Sequence, residues 1–226
     1  MERKKMAEEK KERLSRQEKK EQQLEAIRKL IEEKGGKAAV VTGDLTDPCT
    51  AERLMAENGP LDALVLDASM QIRRPWQKIS LEKYQRQMTC NFYSSLRLIQ
   101  LAVPHMKAQK WGRIVTIGSV QERKPHPDML VYSASKAAQT NMVQSLAQQL
   151  AADGITVNNV APGVIFTDRN VEALSDPTYA AEVTSSIPAG FYGEPRDCAG
   201  VVRLLLSDAA RYITGQSIYV DGGKSL

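Results

Sequence analysis

The sequence predicts an α/β protein built on a doubly wound parallel sheet, and three observations predict it. Apolar runs of strand length, such as Leu61–Leu66 and Arg113–Ile117, alternate with segments of helix length. Turns rich in hydroxyl, proline and glycine follow two of these runs, at Gly118-Ser119 and Pro162-Gly163, where open α/β sheets place their sites. The 226 residues are 42% hydrophobic and 26% charged, the composition of a globular chain able to bury a sizeable core.

The elements follow in order. Residues 1–34 carry 12 Lys/Arg and 9 Asp/Glu with no Pro or Gly, and read as one charged helix. Up to residue 21 it is a solvated extension, and a single domain spans 22–226. From Leu24 an apolar stripe of Leu24, Ile27, Leu30 and Ile31 gives its second half a face to pack. Gly35-Gly36 ends it, and Lys37-Ala38-Ala39-Val40-Val41 reads as a short buried strand. A helix near residues 50–57 and the strand Leu61–Leu66 come next. A long helix over 81–109 starts at Ser80 as N-cap and is expected to kink at Pro104. Strand Arg113–Ile117, helix 130–152 and strand Thr156–Val160 follow. The stretch 162–195 separates these from helix Asp197–Leu206 and the strand Gln216–Val220.

Charge and cysteine usage exclude several classes. Of the net charge of +4, +3 lies in residues 1–34, so the near-neutral body calls for no nucleic acid. No run of 18 apolar residues exists to span a membrane, and the charged N-terminus lacks the apolar core of a secretory signal. Cys49, Cys90 and Cys198 stand apart, without a CxxC pair or a histidine cluster. That argues against a disulfide framework or a metal site and suits a reducing cytoplasm.

The chemistry concentrates in Tyr132-Ser133-Ala134-Ser135-Lys136. Tyr132 and Lys136 lie at i and i+4, on one helical face. A phenol titrates near 10, so it serves as an acid/base at neutral pH only where a neighbour stabilises the phenolate, and an ammonium does so. Ser119 lies thirteen residues upstream, just past a strand end. Downstream, Val157-Asn158-Asn159-Val160-Ala161-Pro162-Gly163 is a strand running into a turn. Taken singly, an exposed Tyr/Lys pair, a loop hydroxyl and a Pro-Gly turn have ordinary readings in any fold.

Taken together and in this order, the motifs resemble those of the short-chain dehydrogenase/reductase family, over roughly residues 22–226. Gly112–Ser119 resembles the family's serine strand, and Tyr132–Lys136 matches its YxxxK motif. Ala161-Pro162-Gly163-Val164-Ile165-Phe166-Thr167 resembles the PGxIxT segment. Ile213-Thr214-Gly215-Gln216 with Val220-Asp221-Gly222-Gly223 resembles the C-terminal strand. Cys90-Asn91 falls at the helix asparagine, and Gly43-Asp44-Leu45-Thr46-Asp47 resembles the segment beside the adenine. The resemblance implies a Rossmann-like fold and NAD or NADP as cofactor. Tyr132 would be the general acid/base and Lys136 would lower its pKa and hold the ribose. Ser119 would hydrogen-bond the substrate oxygen, and Asn91 would hold a water linking Lys136 to solvent. Asp44, Leu45, Ala68, Pro162, Gly163, Ile165 and Thr167 would complete the cofactor contacts, the Ile165 backbone and the Thr167 hydroxyl gripping the carboxamide. Residues 168–193 would form a mobile lid, and 121–130 would line the pocket.

Two departures from the family pattern stand out. No T-G-x-x-x-G-x-G turn occurs in the 226 residues, and the expectation is an N-terminally truncated fold without the family's first strand, first helix and second strand. Strand 37–41 would then either move in beside Leu61–Leu66 or leave an unpaired edge. Leu66-Asp67-Ala68-Ser69 replaces the usual N-N-A-G. The leading reading is an oxidoreductase interconverting a small carbonyl and an alcohol, without nucleic-acid or membrane partners. The runner-up is a non-catalytic subunit with impaired cofactor binding that pairs with a relative, and a third is a helical arm binding an acidic partner. Helices 81–109 and 130–152 are expected to build a homodimer or homotetramer, because Leu96, Leu98, Ile99 and Leu101 on one, and Met142, Val143, Leu146 and Leu150 on the other, exceed what a sheet face covers.

Overall fold

The computed structural model describes Glu18 and residues 21–226, and these fall into two compact units divided between Asp44 and Leu45. Apart from Glu18 and Glu21, the charged extension over 1–21 lies outside the described residues. In the first unit, helix α1 covers 21–33. Arg28 braces it by bonding Glu25 at 2.9 Å and Glu32 at 2.6 Å, one turn to either side. The helix ends as the glycine pair predicts: Gly35 has φ +81°, and the Gly36 amide returns to Ile31 O at 3.0 Å. Within the first unit, nothing covers the expected stripe of Leu24, Ile27, Leu30 and Ile31. Residues 37–41 form no strand, contrary to the expectation. A strand exists only by pairing, and no strand accompanies this segment among the described residues of the first unit.

The second unit is the predicted Rossmann-like α/β fold. Helix α2 (Thr50–Asn58) leads to strand β1 (Ala63–Leu66). Helices α3 (Leu81–Met88) and α4 (Ser94–Ala108) run into each other through one π-helical turn, Thr89–Tyr93. Ser80 caps α3 as expected, its Oγ accepting from Lys83 N at 3.3 Å. The helix continues through Pro104 to Ala108, and the change of helical type falls at the π turn instead. Strand β2 (Gly112–Ile117), helix α5 (Leu130–Leu150) and strand β3 (Ile155–Pro162) follow. The stretch expected as a lid folds into α6 (Asp168–Leu174) and α7 (Pro177–Ser185), and α8 (Pro195–Leu205) precedes strand β4 (Ser217–Val220).

The four strands pair in parallel in the order β1-β2-β3-β4, with Val65 opposite Val115 and Val115 opposite Asn158. Side-chain alternation along the strands builds two cores. On one face Leu64, Leu66, Ile114, Ile155 and Val157 meet Leu98, Ile99, Ala102 and Met106 of α4 and Met142, Val143 and Leu150 of α5. On the other, Val115 and Val160 meet Leu205 of α8 and Ala210. Helices on both faces confirm the doubly wound architecture. β1 has β2 as its single strand neighbour among the described residues, and Val65 on it is 42% exposed. Leu98, Ile99, Met142, Val143 and Leu150, expected to be surplus to the sheet, are buried in this chain's own core. Each helix contacts the sheet and the other helix at once, which consumes the apolar surface counted as excess.

Candidate active site

The site is built at the carboxyl end of β2. Gly118 continues the strand's ladder, its amide donating to Val160 O at 2.7 Å. Ser119 follows in extended backbone and caps a single 3-10 turn, Val120–Glu122, with Oγ accepting from Gln121 N at 3.2 Å. Gln121 ties the next loop together, its Oε1 accepting from His126 N at 2.6 Å and from Ser133 Oγ at 3.4 Å. That loop delivers the chain into α5, which packs on the Val120–Glu122 turn.

Tyr132 and Lys136 project inward from the first turns of α5 and are both buried, Lys136 to 1% exposure. A buried ammonium requires acceptors. Lys136 Nζ donates to Ile117 O at 2.7 Å and to Gln139 Oε1 at 3.0 Å, and lies 5.8 Å from the centre of the Tyr132 ring. Ile117 is two residues before Ser119, so the strand end that carries the serine also fixes the lysine.

Asn91 lies in the π turn and is fully buried. Such turns place one residue out of helical register, often at functional sites. Its Oδ1 accepts from Met70 N at 2.7 Å, and its Nδ2 donates to Met70 O at 2.9 Å and to Ser135 Oγ at 3.0 Å. Ser135 Oγ donates to Tyr132 O at 2.7 Å. Asn91 thus pins the loop after β1 and touches the helix bearing the tyrosine. Between Asn91 and Lys136 the connection runs through Ser95 and Gln139, side chains the sequence reading did not single out. A spacing signal existed for both, since each lies one helical turn beyond a motif residue.

Glu122 was also missed, three residues past Ser119 with no motif to mark it. Its carboxylate accepts from Ser217 Oγ at 2.7 Å, Tyr219 Oη at 3.1 Å and Asn159 Nδ2 at 3.1 Å. Asn159 Oδ1 accepts from Thr116 Oγ1 at 2.7 Å. This cluster ties the carboxyl end of β2 to the middle of β3 and the start of β4. Burial first, then the charge of Glu122, holds the Tyr219 phenol above its ordinary range.

Of the residues expected to hold a cofactor, Pro162 ends β3 and Gly163 follows it, its N donating to Val220 O at 3.0 Å. A side chain at Gly163 would meet Asp221 Cα at 2.7 Å, so the turn requires glycine. Ile165 bridges to Gly193, and Ile165 O accepts from Asn170 Nδ2 at 2.8 Å. Thr167 opens α6, its carbonyl accepting from Asn170 N at 2.8 Å. Ala68 is exposed just past β1. Asp44 closes the first unit and Leu45 opens the second. Among the described residues no group of three His, Cys, Asp or Glu side chains is placed to hold a metal ion. Nor does any helix among them have the length and apolarity to cross a membrane.

A family model described as enoyl-(acyl carrier protein) reductase matches residues 5–225. Glucose 1-dehydrogenase of Gluconobacter oxydans is 38% identical over 213 residues, covering 92% of this chain and 80% of that protein. The chain belongs to the short-chain dehydrogenase/reductase family. The 3-oxoacyl-(acyl-carrier-protein) reductase of Haemophilus influenzae is 36% identical over 204 residues, 90% of this chain and 84% of that protein. Among solved structures, a 3-oxoacyl (acyl-carrier-protein) reductase from Agrobacterium tumefaciens with NADP bound superposes with a TM-score of 0.83. It is 35% identical, and the match covers 88% of this chain and 79% of that one. The family consists of oxidoreductases that use NAD(P).

Proposed function

We propose that this short-chain dehydrogenase/reductase interconverts a carbonyl and an alcohol in the presence of NAD(P)(H), with Tyr132 as the general acid/base. One arrangement carries the reading: a buried Lys136 ammonium bonded to the strand end before Ser119 and set 5.8 Å from the Tyr132 ring.

The chain's residues fit the nicotinamide half of the cofactor. Lys136 would hold the ribose, and the Gly163–Thr167 turn at the end of β3 would hold the carboxamide. Leu45 and Ala68 would serve the adenosine side. When bound, the nicotinamide supplies or accepts the hydride. The phenol of Tyr132 gives a proton to the substrate oxygen during reduction and takes it back during oxidation. The neighbouring ammonium stabilises the phenolate form. Ser119 Oγ accepts from Gln121 N, which leaves its hydrogen to donate to the substrate oxygen and stabilise developing charge. Asn91 holds the loop after β1 against α5, so that the strand ends form one wall of the site. Cysteines outside any disulfide among the described residues suit a reducing cytoplasm.

The test is turnover followed by nicotinamide absorbance, with glucose and 3-oxoacyl thioesters, the substrate types of the relatives, in the panel. Turnover is expected with at least one compound. Tyr132→Phe removes only the hydroxyl and should lower it by roughly 10²–10⁴-fold with an unchanged circular dichroism spectrum. Full activity in the purified Phe variant would remove Tyr132 from the mechanism.

A further inference from the structure

Gln139 lies on α5 three residues beyond Lys136 and is fully buried. Apolar side chains of α4 and α5, among them Ile99 and Val143, make up the core these helices share. A buried amide is costly there unless both of its ends are bonded, and both are. Oε1 accepts from Lys136 Nζ at 3.0 Å, and Nε2 donates to Ser95 Oγ at 3.1 Å. Ser95 Oγ donates in turn to Asn91 O at 3.4 Å. The chain of bonds fixes which way the amide faces: turned over, it would set two N–H donors against an ammonium.

We propose that Gln139 is a positioning residue for Lys136, holding the ammonium between Ile117 O and α4 and so setting the field that Tyr132 experiences. An amide suits this task for a chemical reason. It accepts a hydrogen bond without carrying charge, so it orders the lysine and leaves its positive charge to act on the phenol. A carboxylate in its place would order the lysine and cancel much of that charge. An apolar side chain would take away one acceptor of the ammonium, which weakens its charged form and loosens its placement beside the phenol. Either change weakens the field that stabilises the Tyr132 phenolate, so the phenol keeps its proton to higher pH. The structure places the Lys136 ammonium 5.8 Å from the centre of the Tyr132 ring.

The inference concerns the site of the proposed function, but its test needs no substrate. The ionisation of Tyr132 is read by ultraviolet difference titration, each protein being compared with its own Tyr132→Phe partner. Gln139→Met keeps length and approximate volume while removing the acceptor, and Gln139→Glu keeps an acceptor and adds charge. In both, Tyr132 is expected to ionise about one pH unit higher, the low end of what a charge a few ångströms away contributes. Ser95→Ala frees the far end of the amide and should give a smaller shift of the same sign. If Gln139 merely packs, the Met variant melts at a lower temperature and the phenol titrates where it does in the parent, which overturns the proposal. Should the Met variant fail to fold, unchanged titration in Gln139→Glu and Ser95→Ala overturns it equally. A chain in which Tyr132→Phe retains turnover refutes the proposed function instead, whatever the titration shows.

Discussion

Substituting Gly118 with alanine strikes the junction of the site's two supports. A Cβ at this position would lie 2.6 Å from Asn159 Nδ2, 2.6 Å from Glu122 Oε2 and 2.7 Å from Asn159 Oδ1. Ordinary contact begins near 3.5 Å, so these polar groups must retreat by roughly 1 Å. Overpacking of this kind costs about 1–3 kcal/mol, and loss of one hydrogen bond to the Glu122 carboxylate adds about 1.5–3 kcal/mol. Glu122 is half-buried, and water replaces part of what is lost, so a total of about 2–3 kcal/mol is expected. At about 2–4 °C per kcal/mol for a chain of this size, the melting temperature should fall by about 4–12 °C. The consequence for activity is larger. Gly118 stands between Ile117, whose carbonyl holds Lys136, and Ser119, so a shift of the backbone misplaces both, and a displacement near 1 Å costs about a hundredfold in rate. The assay is thermal unfolding by circular dichroism together with steady-state turnover. Gly200→Ala is the control, because nothing lies within 4 Å of a Cβ there, and it should leave both quantities unchanged or raise the melting temperature slightly. A Gly118→Ala protein that melts within about 1 °C of the parent, a shift too small for overpacking of this size, and turns over normally would refute the reasoning.

The sequence of these 226 residues contains no T-G-x-x-x-G-x-G segment, the kind whose backbone N–H groups would hold a pyrophosphate. For a polypeptide of these residues alone, two such bonds at about 1.5 kcal/mol each imply NAD(P)H binding at least roughly a hundredfold weaker than in a relative that has that segment; calorimetric titration showing low-micromolar affinity would contradict this. Burial and Glu122 raise the Tyr219 phenol, so the folded state keeps a proton that the unfolded chain releases. The associated stability is present below the ordinary phenol value near 10 and is lost as pH rises from there through the raised folded value. Tyr219→Phe should flatten the fall of melting temperature in that alkaline window, and an unchanged slope would count against the assignment. Finally, Leu81, Tyr84, Tyr93 and Leu130 remain exposed on α3, at the π turn and at the start of α5, and we expect a homodimer or homotetramer formed through these helices. A monomer at micromolar concentration by analytical ultracentrifugation would dispose of that expectation.

The order of strands and helices in the second unit was legible in the sequence because each element carries its own signal. Apolar runs mark β2 and β3, Ser80 marks the start of α3, and Tyr132 and Lys136 share a face by helical period alone. Ser119 and the Pro162-Gly163 turn could be placed at a site because carboxyl ends of parallel strands are where sites lie. What the tertiary structure decided is whatever depends on a partner distant in the chain. Residues 37–41 have strand-like composition, yet a strand needs a neighbour to take its hydrogen bonds, and no local pattern reports whether one is present. The apolar residues of α4 and α5 looked surplus because a helix sequence does not say how many surfaces it meets at once. The clusters around Glu122 and Gln139 join residues 37 and 44 positions apart, as in Glu122 with Asn159 and Ser95 with Gln139. Polar side chains of these types are ordinarily solvated. Only the packing of β2, β3 and α5 at the strand ends removes the water and turns Glu122 and Gln139 into structural parts of the site.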